Sequence, residues 1–259
     1  MTTLALTGGF GNVLFQLNFF YAYRSFFANI SPEGLHIKSL RKARGLNAPS
    51  QISYLKSLDI SYLCTHSKQS IFDYLLLGLS HEVDRPLAGR YWNNILDPGS
   101  LPFSVNLFKT YAQYQVPIQE EFISLIVNRL LEPRSHLLPL ASKYDALVHV
   151  RCGDLSRTAD ISDYYQKATD IYSSILVVTD DSVQAGHLFP GINSSDIISS
   201  DSYLDDFALL SFANNIISSN STFAWWAAEL SNASSVIEPS DYRLGDHFNP
   251  ISGRIRYKL

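Results

Sequence analysis

From Asp145 to Glu238 short apolar runs alternate with helix-patterned segments, and this rhythm limits the possible folds more than any other feature of the chain. The runs are DALVHV at 145–150, ILVV at 175–178, the Ile216-Ile217 pair and Val236-Ile237, with a further short one from Asp196 to Ser199. Helical patterns fill the gaps at 163–171, 182–188, 206–213 and 223–230. Alternation of this kind predicts a parallel sheet with helices on both faces. Ligands of such sheets sit beyond the carboxyl ends of the strands. The polar tips fall there: Arg151 after one strand, Thr179 and Asp180 after another, Ser219 to Thr222 after a third.

The densest part is DFALLSFANNIISSNSTFAWWAAEL, Asp206 to Leu230. It reads as helix, very short strand, polar turn, helix. Ser221 and Thr222 lead into the last helix and are good N-cap residues. A hydroxyl-rich loop feeding a helix N-terminus offers N–H donors and a favourable dipole to an anion, which suits nucleotide phosphates. The same residues also suit a plain capped helix with a Trp pair behind it, and both readings stand at this point.

The first half is less regular. Leu4 to Leu6 reads as a strand, Gly8, Gly9 and Gly11 as a Gly-rich turn, and Val13 to Ala28 as a helix. The spacing is GGxG, not GxGxxG, so it fits either a nucleotide loop or a tight strand–helix turn. Lys38, Arg41, Lys42 and Arg44 form a basic patch, which is a solvated face or a surface for an anionic membrane or acceptor. Tyr91 and Trp92, followed by Asn93 and Asn94, suit either core packing or stacking on sugar rings. Pro117 to Leu131 reads as a helix, and Pro133 and Pro139 place a domain boundary near 135, giving domains of 1–135 and 136–259.

With 46% hydrophobic and 17% charged residues in 259, there is ample material for a core. A net charge of −4 with no long basic run argues against nucleic acid as a partner. Cys64 and Cys152 have no metal-ligand spacing, and a reducing compartment fits them. No apolar run is long enough to span a bilayer, and the first residues lack the pattern of a secretory leader. The expected location is the cytoplasm, with peripheral attachment at the inner membrane as the variant.

With these motifs in place, the chain resembles the inverting α-1,2-fucosyltransferases. Residues 8–16, GGFGNVLFQ, resemble that family's opening GGLGNQxFQ, and Tyr91-Trp92-Asn93 resembles its GYWQS segment. His149 to Asp154, HVRCGD, resembles HVRRGD; Asp163-Tyr164-Tyr165 and Val178 to Asp181 resemble its YY and SDD elements. Asp206 through Trp226 closely resembles its long D-x-x-L-M-S…N-I-I-x-N-S-S-F-S-W-W signature. The resemblance implies an α/β fold of GT-B type: two Rossmann-like domains, an acceptor-side one and a donor one, with the reaction in the cleft. It implies GDP-fucose as sugar nucleotide and a galactose-type hydroxyl of a surface glycan, such as an O-antigen or lipid-linked glycan, as acceptor. By the same resemblance Arg151 contacts the diphosphate, Ser221, Thr222 and Phe223 belong to the phosphate loop, and Asp206 contacts the guanine. His149 lies near the base or ribose, Gly9, Gly11 and Asn12 approach the donor sugar, and Tyr91 and Trp92 face the acceptor. Two positions depart from the pattern, Cys152 for the second arginine and Leu155 for the following tyrosine.

Glycosyl transfer leaves negative charge on the departing diphosphate. Arg151, loop hydroxyls and a helix N-terminus can offset it, so no metal or other cofactor is expected. Inversion needs in-line attack by the acceptor hydroxyl, for which Asp154 and Glu229 are the candidate bases, Asp154 first. Two alternatives remain: a transferase of the same family for another sugar nucleotide, since a thiol lacks the planar donors of a guanidinium, or a non-catalytic glycan- or nucleotide-binding protein.

Overall fold

The computed structural model describes residues 2–6, 8–30, 35–39, 51–60, 107–108, 118–152, 160–240 and 255–258. The chain divides into two compact units, Met1–Leu125 and Ile126–Leu259, a division that falls inside one helical run ahead of Pro133.

In the first unit β1 (Thr2–Leu6) is central, with β2 (Leu35–Ser39) and β3 (Leu107–Phe108) parallel to it on either side. The turn after β1 opens α1 (Phe10–Ile30), longer at both ends than the apolar run suggests. Phe10, Val13, Leu14, Phe15, Leu17, Phe19 and Phe20 are all buried, so the first half of α1 is enclosed on every side. Asn18 is buried among them, and its Oδ1 accepts the Gln119 N–H at 2.9 Å. The short helix α2 (Gln51–Ser57) packs Tyr54 against Phe10, with ring centroids 5.3 Å apart.

The helical run that ends this unit starts as α3 (Glu120–Ile126), widens to a π-turn over Val127–Leu131 and tightens to a 3₁₀ turn over Glu132–Leu137. The sequence suggests one α-helix to Leu131. Pro133 is the reason for the change: it brings no N–H, so it sits in the first turn of the 3₁₀ segment. Four more helical residues, α4 (Leu138–Ala141), lead to the second sheet.

That sheet contains β4 (Ala146–Val150), β5 (Ile175–Thr179), β6 (Ile197–Ile198), β7 (Asn215–Ile217), β8 (Ser235–Glu238) and β9 (Ile255–Lys258). Every described pairing is parallel, in the order β6-β5-β4-β7-β8-β9. The chain steps from β4 outward to β6, then restarts beside β4 at β7 and steps outward the other way. This doubly wound order puts a topological switch point between β4 and β7. The intervening helices are α5 (Asp160–Thr169), α6 (Ser182–Leu188), α7 (Tyr203–Ser211) and α8 (Thr222–Leu230). The strands β4 and β7 pair Leu147 with Ile216 and Val148 with Ile217.

Helix α7 begins three residues ahead of the expected start at Asp206. Ser202 caps it, taking the Asp205 N–H on its hydroxyl at 3.3 Å, and so draws Tyr203 to Asp205 into the first turn. Strand β9 has no forecast in the sequence, because its alternating IRYK is too short to stand out.

The tyrosines of α5 fasten the two strands of the switch point. Tyr164 donates its hydroxyl to the Ser218 carbonyl at 2.7 Å, with the Ile237 carbonyl at 3.0 Å, and Tyr165 donates to the His149 carbonyl at 2.9 Å. Both rings are buried in the core formed by Val148, Val150, Cys152, Val177, Ile217 and Ile237. Tyr164→Phe keeps the ring and deletes the hydroxyl that serves the Ser218 carbonyl. The expected cost is about 1–3 kcal/mol, read by urea denaturation. A variant as stable as the wild type would show that this tether carries no energy.

Candidate functional site

At and beyond the carboxyl ends of β4 and β7 lie His149 and Arg151 on one side and Ser218 to Thr222 on the other. His149, the fourth residue of the fully buried β4, is 8% exposed. Its Nδ1 is 2.6 Å from the Ser219 Oγ, a bond that spans the switch point. Its ring stacks on Phe223 of α8, centroids 5.4 Å apart and planes 29° from parallel. Phe207 of α7 closes edge-on against the same Phe223 at 5.3 Å. Burial, and then the Arg151 charge, push the imidazole pKa down to about 3, so the ring is neutral in the ordinary pH range. Arg151 is the first residue past β4 and is half-buried.

The loop between β7 and α8 is built mainly from its own main chain. The Ser218 N–H bonds the Ile237 carbonyl at 2.8 Å, the Ser218 hydroxyl bonds the Ser219 carbonyl at 3.0 Å, and the Ser221 N–H bonds the same carbonyl at 2.8 Å. Ser221 is the N-cap: its Oγ accepts the Phe223 N–H at 3.2 Å. The two sequence readings of this loop are therefore compatible. Ser221 spends one acceptor position on capping, while a helix start still presents first-turn amides such as that of Thr222. Thr222 and Phe223 are half-buried, at the helix end where an anion is favoured.

At the end of β5, Asp180 Oδ1 accepts the Cys152 N–H at 2.7 Å. Asp181 caps α6, its Oδ1 taking the Val183 and Gln184 N–H groups at 3.0 Å each. The Cys152 thiol is buried, 3.5 Å from the Thr179 hydroxyl, and burial raises its pKa. The side chain at the motif's second arginine position thus lies in the core. Among the described residues no group of three or more His, Cys, Asp and Glu side chains is placed to hold a metal ion.

Asp206 is in the first turn of α7, and burial pushes its carboxyl up to about 6. Ser200 Oγ is 2.7 Å from Asp206 Oδ1. The charges of Asp205 and Asp180 add to the upward shift, and Asp205 is itself paired with Arg134 at 2.8 Å. Ser200 is missed by sequence reasoning, since it stands in the serine-rich run before the cap and matches no motif. Glu229, the second candidate base, is 2% exposed in the last turn of α8. That is the far end of the helix from Thr222, about 10 Å along the axis, which removes it from the cradle.

In the first unit, Gly8 is the glycine the turn requires: its φ is +82°, and a Cβ there would lie 2.6 Å from Asn12 Nδ2. Gly9 is exposed, with open space where a Cβ would go, and its carbonyl takes the Val13 N–H at 3.1 Å. Gly11 and Asn12 belong to the first turn of α1. Asp154, Tyr91 and Trp92 lie outside the described residues, as do Leu155 and most of the basic patch.

Asp206 and His149 respond to pH in opposite senses. The folded-state pKa of Asp206, about 6, exceeds its unfolded value of about 3.9, so its stabilising contribution is full below that value and is lost as pH rises through 6. His149, depressed to about 3 from about 6.5, contributes fully above 6.5 and loses that contribution as pH falls toward 3. Asp206→Asn should therefore gain stability relative to wild type between pH 4.5 and 7.5, measured by urea denaturation at both values. An equal difference at the two pH values would contradict the raised carboxyl.

No curated protein matches the chain significantly. Among solved structures, the ADP-heptose lipopolysaccharide heptosyltransferase II of E. coli is similar at 12% identity and a TM-score of 0.41, over 100% of this chain and 90% of that one. A family 9 glycosyl transferase from Veillonella parvula is similar at 9% identity and a TM-score of 0.44, over 100% and 85%. Both likenesses are too distant to bear on the chemistry. The family model described as Glycosyl transferase family 11 matches residues 48–241. That match spans most of the chain, and the protein belongs to glycosyl transferase family 11, the α-1,2-fucosyltransferase family that its motifs resemble.

Proposed function

We propose that the protein is an inverting, metal-independent fucosyltransferase that moves fucose from GDP-fucose to a galactose-type hydroxyl of a surface glycan. The observation that carries this reading is the convergence of Arg151, neutral His149 and the α8 N-terminus on the switch point of a doubly wound sheet. The departing diphosphate gains charge as the sugar–phosphate bond breaks. Arg151 and the first-turn amides of α8 are positioned on neighbouring strand ends to receive that charge, the work a divalent ion does in other transferases. Asp206 reads the base: guanine presents N1–H and N2–H side by side, and an ionised carboxylate accepts both.

Asn12 approaches the reacting sugar, and Asp154 takes the proton of the attacking hydroxyl. Tyr91 and Trp92 face the acceptor, a glycan or lipid-linked glycan. A cytoplasmic enzyme, peripheral at the inner membrane, fits such an acceptor. Among the described residues no helix is long and apolar enough to cross a membrane. The buried position of Cys152 favours GDP-fucose over another sugar nucleotide, because the altered side chain lies in the core and not on the ligand's side of the strand ends.

Calorimetric titration with GDP, UDP and CDP, with and without EDTA, tests this. GDP should bind most tightly and ignore EDTA, and Arg151→Ala should weaken it by roughly 10- to 100-fold, the loss of a charge-assisted contact. Preference for UDP, or loss of binding in EDTA, would overturn the donor or the metal independence respectively.

A further inference from the structure

The Ser219 hydroxyl carries one proton and sits at the centre of the site, 2% exposed. Its one hydrogen-bond partner among the described residues is His149 Nδ1, at 2.6 Å. Two arrangements are open to the pair. If Nδ1 carried the ring proton, it would donate to Ser219, and the buried Ser219 proton would have no acceptor among the described residues. If Nδ1 is bare, Ser219 donates to it and both groups are satisfied. Leaving a buried donor unmade costs the desolvation of that group, so the second arrangement prevails.

We propose that Ser219 is a positioning residue that fixes the tautomer of His149: its hydroxyl donates to Nδ1, the ring proton sits on Nε2, and His149 meets the donor nucleotide as a hydrogen-bond donor. This rests on the reading that the switch point holds that nucleotide. The rest of the pair's surroundings hold the ring still. The His149 carbonyl is tied to Tyr165, the ring face lies on Phe223, and the loop bearing Ser219 is tied through Ser218 to β8 and Tyr164. The imidazole is neutral, as a single-tautomer ring must be, with burial as the main cause. An Nε2–H donor pairs with a carbonyl or lone-pair nitrogen of a base, or with a ribose or phosphate oxygen, and rejects an amino group at the same point. Asp206 as an acceptor and His149 as a donor would then present opposite hydrogen-bonding polarity to one nucleotide.

The test is long-range ¹⁵N–¹H NMR of the histidine rings in the full-length protein at pH 7.5, with His149 assigned by its absence in His149→Gln. The expected pattern is that of the Nε2–H tautomer, with the Nε2 resonance shifting on addition of GDP. Ser219→Ala should turn the pattern into a mixture and weaken GDP binding about tenfold, the worth of one positioned hydrogen bond. Ser219→Thr, which keeps the hydroxyl, should restore both. An Nδ1–H pattern in the wild type overturns the proposal whether or not GDP binds. An unchanged tautomer in Ser219→Ala also overturns it, even if affinity falls, since the loss would then be structural. If the wild type shows the Nε2–H tautomer but GDP neither binds nor shifts Nε2, the donor reading fails, and the nucleotide role of the tautomer with it.

Discussion

The parallel pairing of β4 with β7 is the contact on which the second unit depends. Only two residue pairs join these strands, Leu147 with Ile216 and Val148 with Ile217, yet the whole doubly wound order turns about them. So short a ladder is weakly specified by itself. Its reinforcement comes from α5, which sets consecutive tyrosines against the strand ends. Tyr165 takes the β4 end by the His149 carbonyl, and Tyr164 takes the residue after β7 by the Ser218 carbonyl. A register slip of either strand would break these bonds. The site therefore gets its rigidity from polar bonds made inside the apolar core, each with its acceptor in place.

The same burial that makes the ladder secure sets the charge states around it. His149 loses its proton affinity to burial and to Arg151, while Asp206 gains proton affinity from burial and from Asp205 and Asp180. Each is in contact with a hydroxyl, Ser219 for the imidazole and Ser200 for the carboxyl. Ser200 Oγ is also 2.7 Å from the Ser202 carbonyl, so its single proton has two candidate acceptors. That competition agrees with a carboxyl that ionises late.

Much of the second unit was legible because its inner strands are largely apolar runs with polar tips. The strand cores at 146–150, 175–179 and 215–217 and the helices α6 and α8 follow from periodicity and capping. The start of α7 was not legible from its apolar stripe, because the cap at Ser202 lies outside that stripe. The broken geometry after Ile126 required weighing one proline against a run of good helix formers. In the candidate site, the placement of Arg151 and the hydroxyl loop at strand ends was legible from the strand pattern, while His149 and Asp206 entered through motif resemblance alone. Ser200 and the special role of Gly8 were not legible, since one depends on a contact six residues away and the other on a backbone angle. Sequence spacing carries neither.

Cys152 illustrates how a motif position and a site position can separate. By alignment of motifs it replaces a cation beside Arg151, which would remove a charge from the phosphate side. In the fold the two side chains separate. Arg151 is half-buried at the site, and Cys152 joins Tyr165, Val177 and Ile237 in the core. What Cys152 offers the strand end is its main-chain N–H, which binds Asp180 and anchors that carboxylate beyond β5. An arginine of full length could not share this core without displacing its neighbours. In the proposed transfer, the charge on the leaving diphosphate then falls to Arg151 and the start of α8.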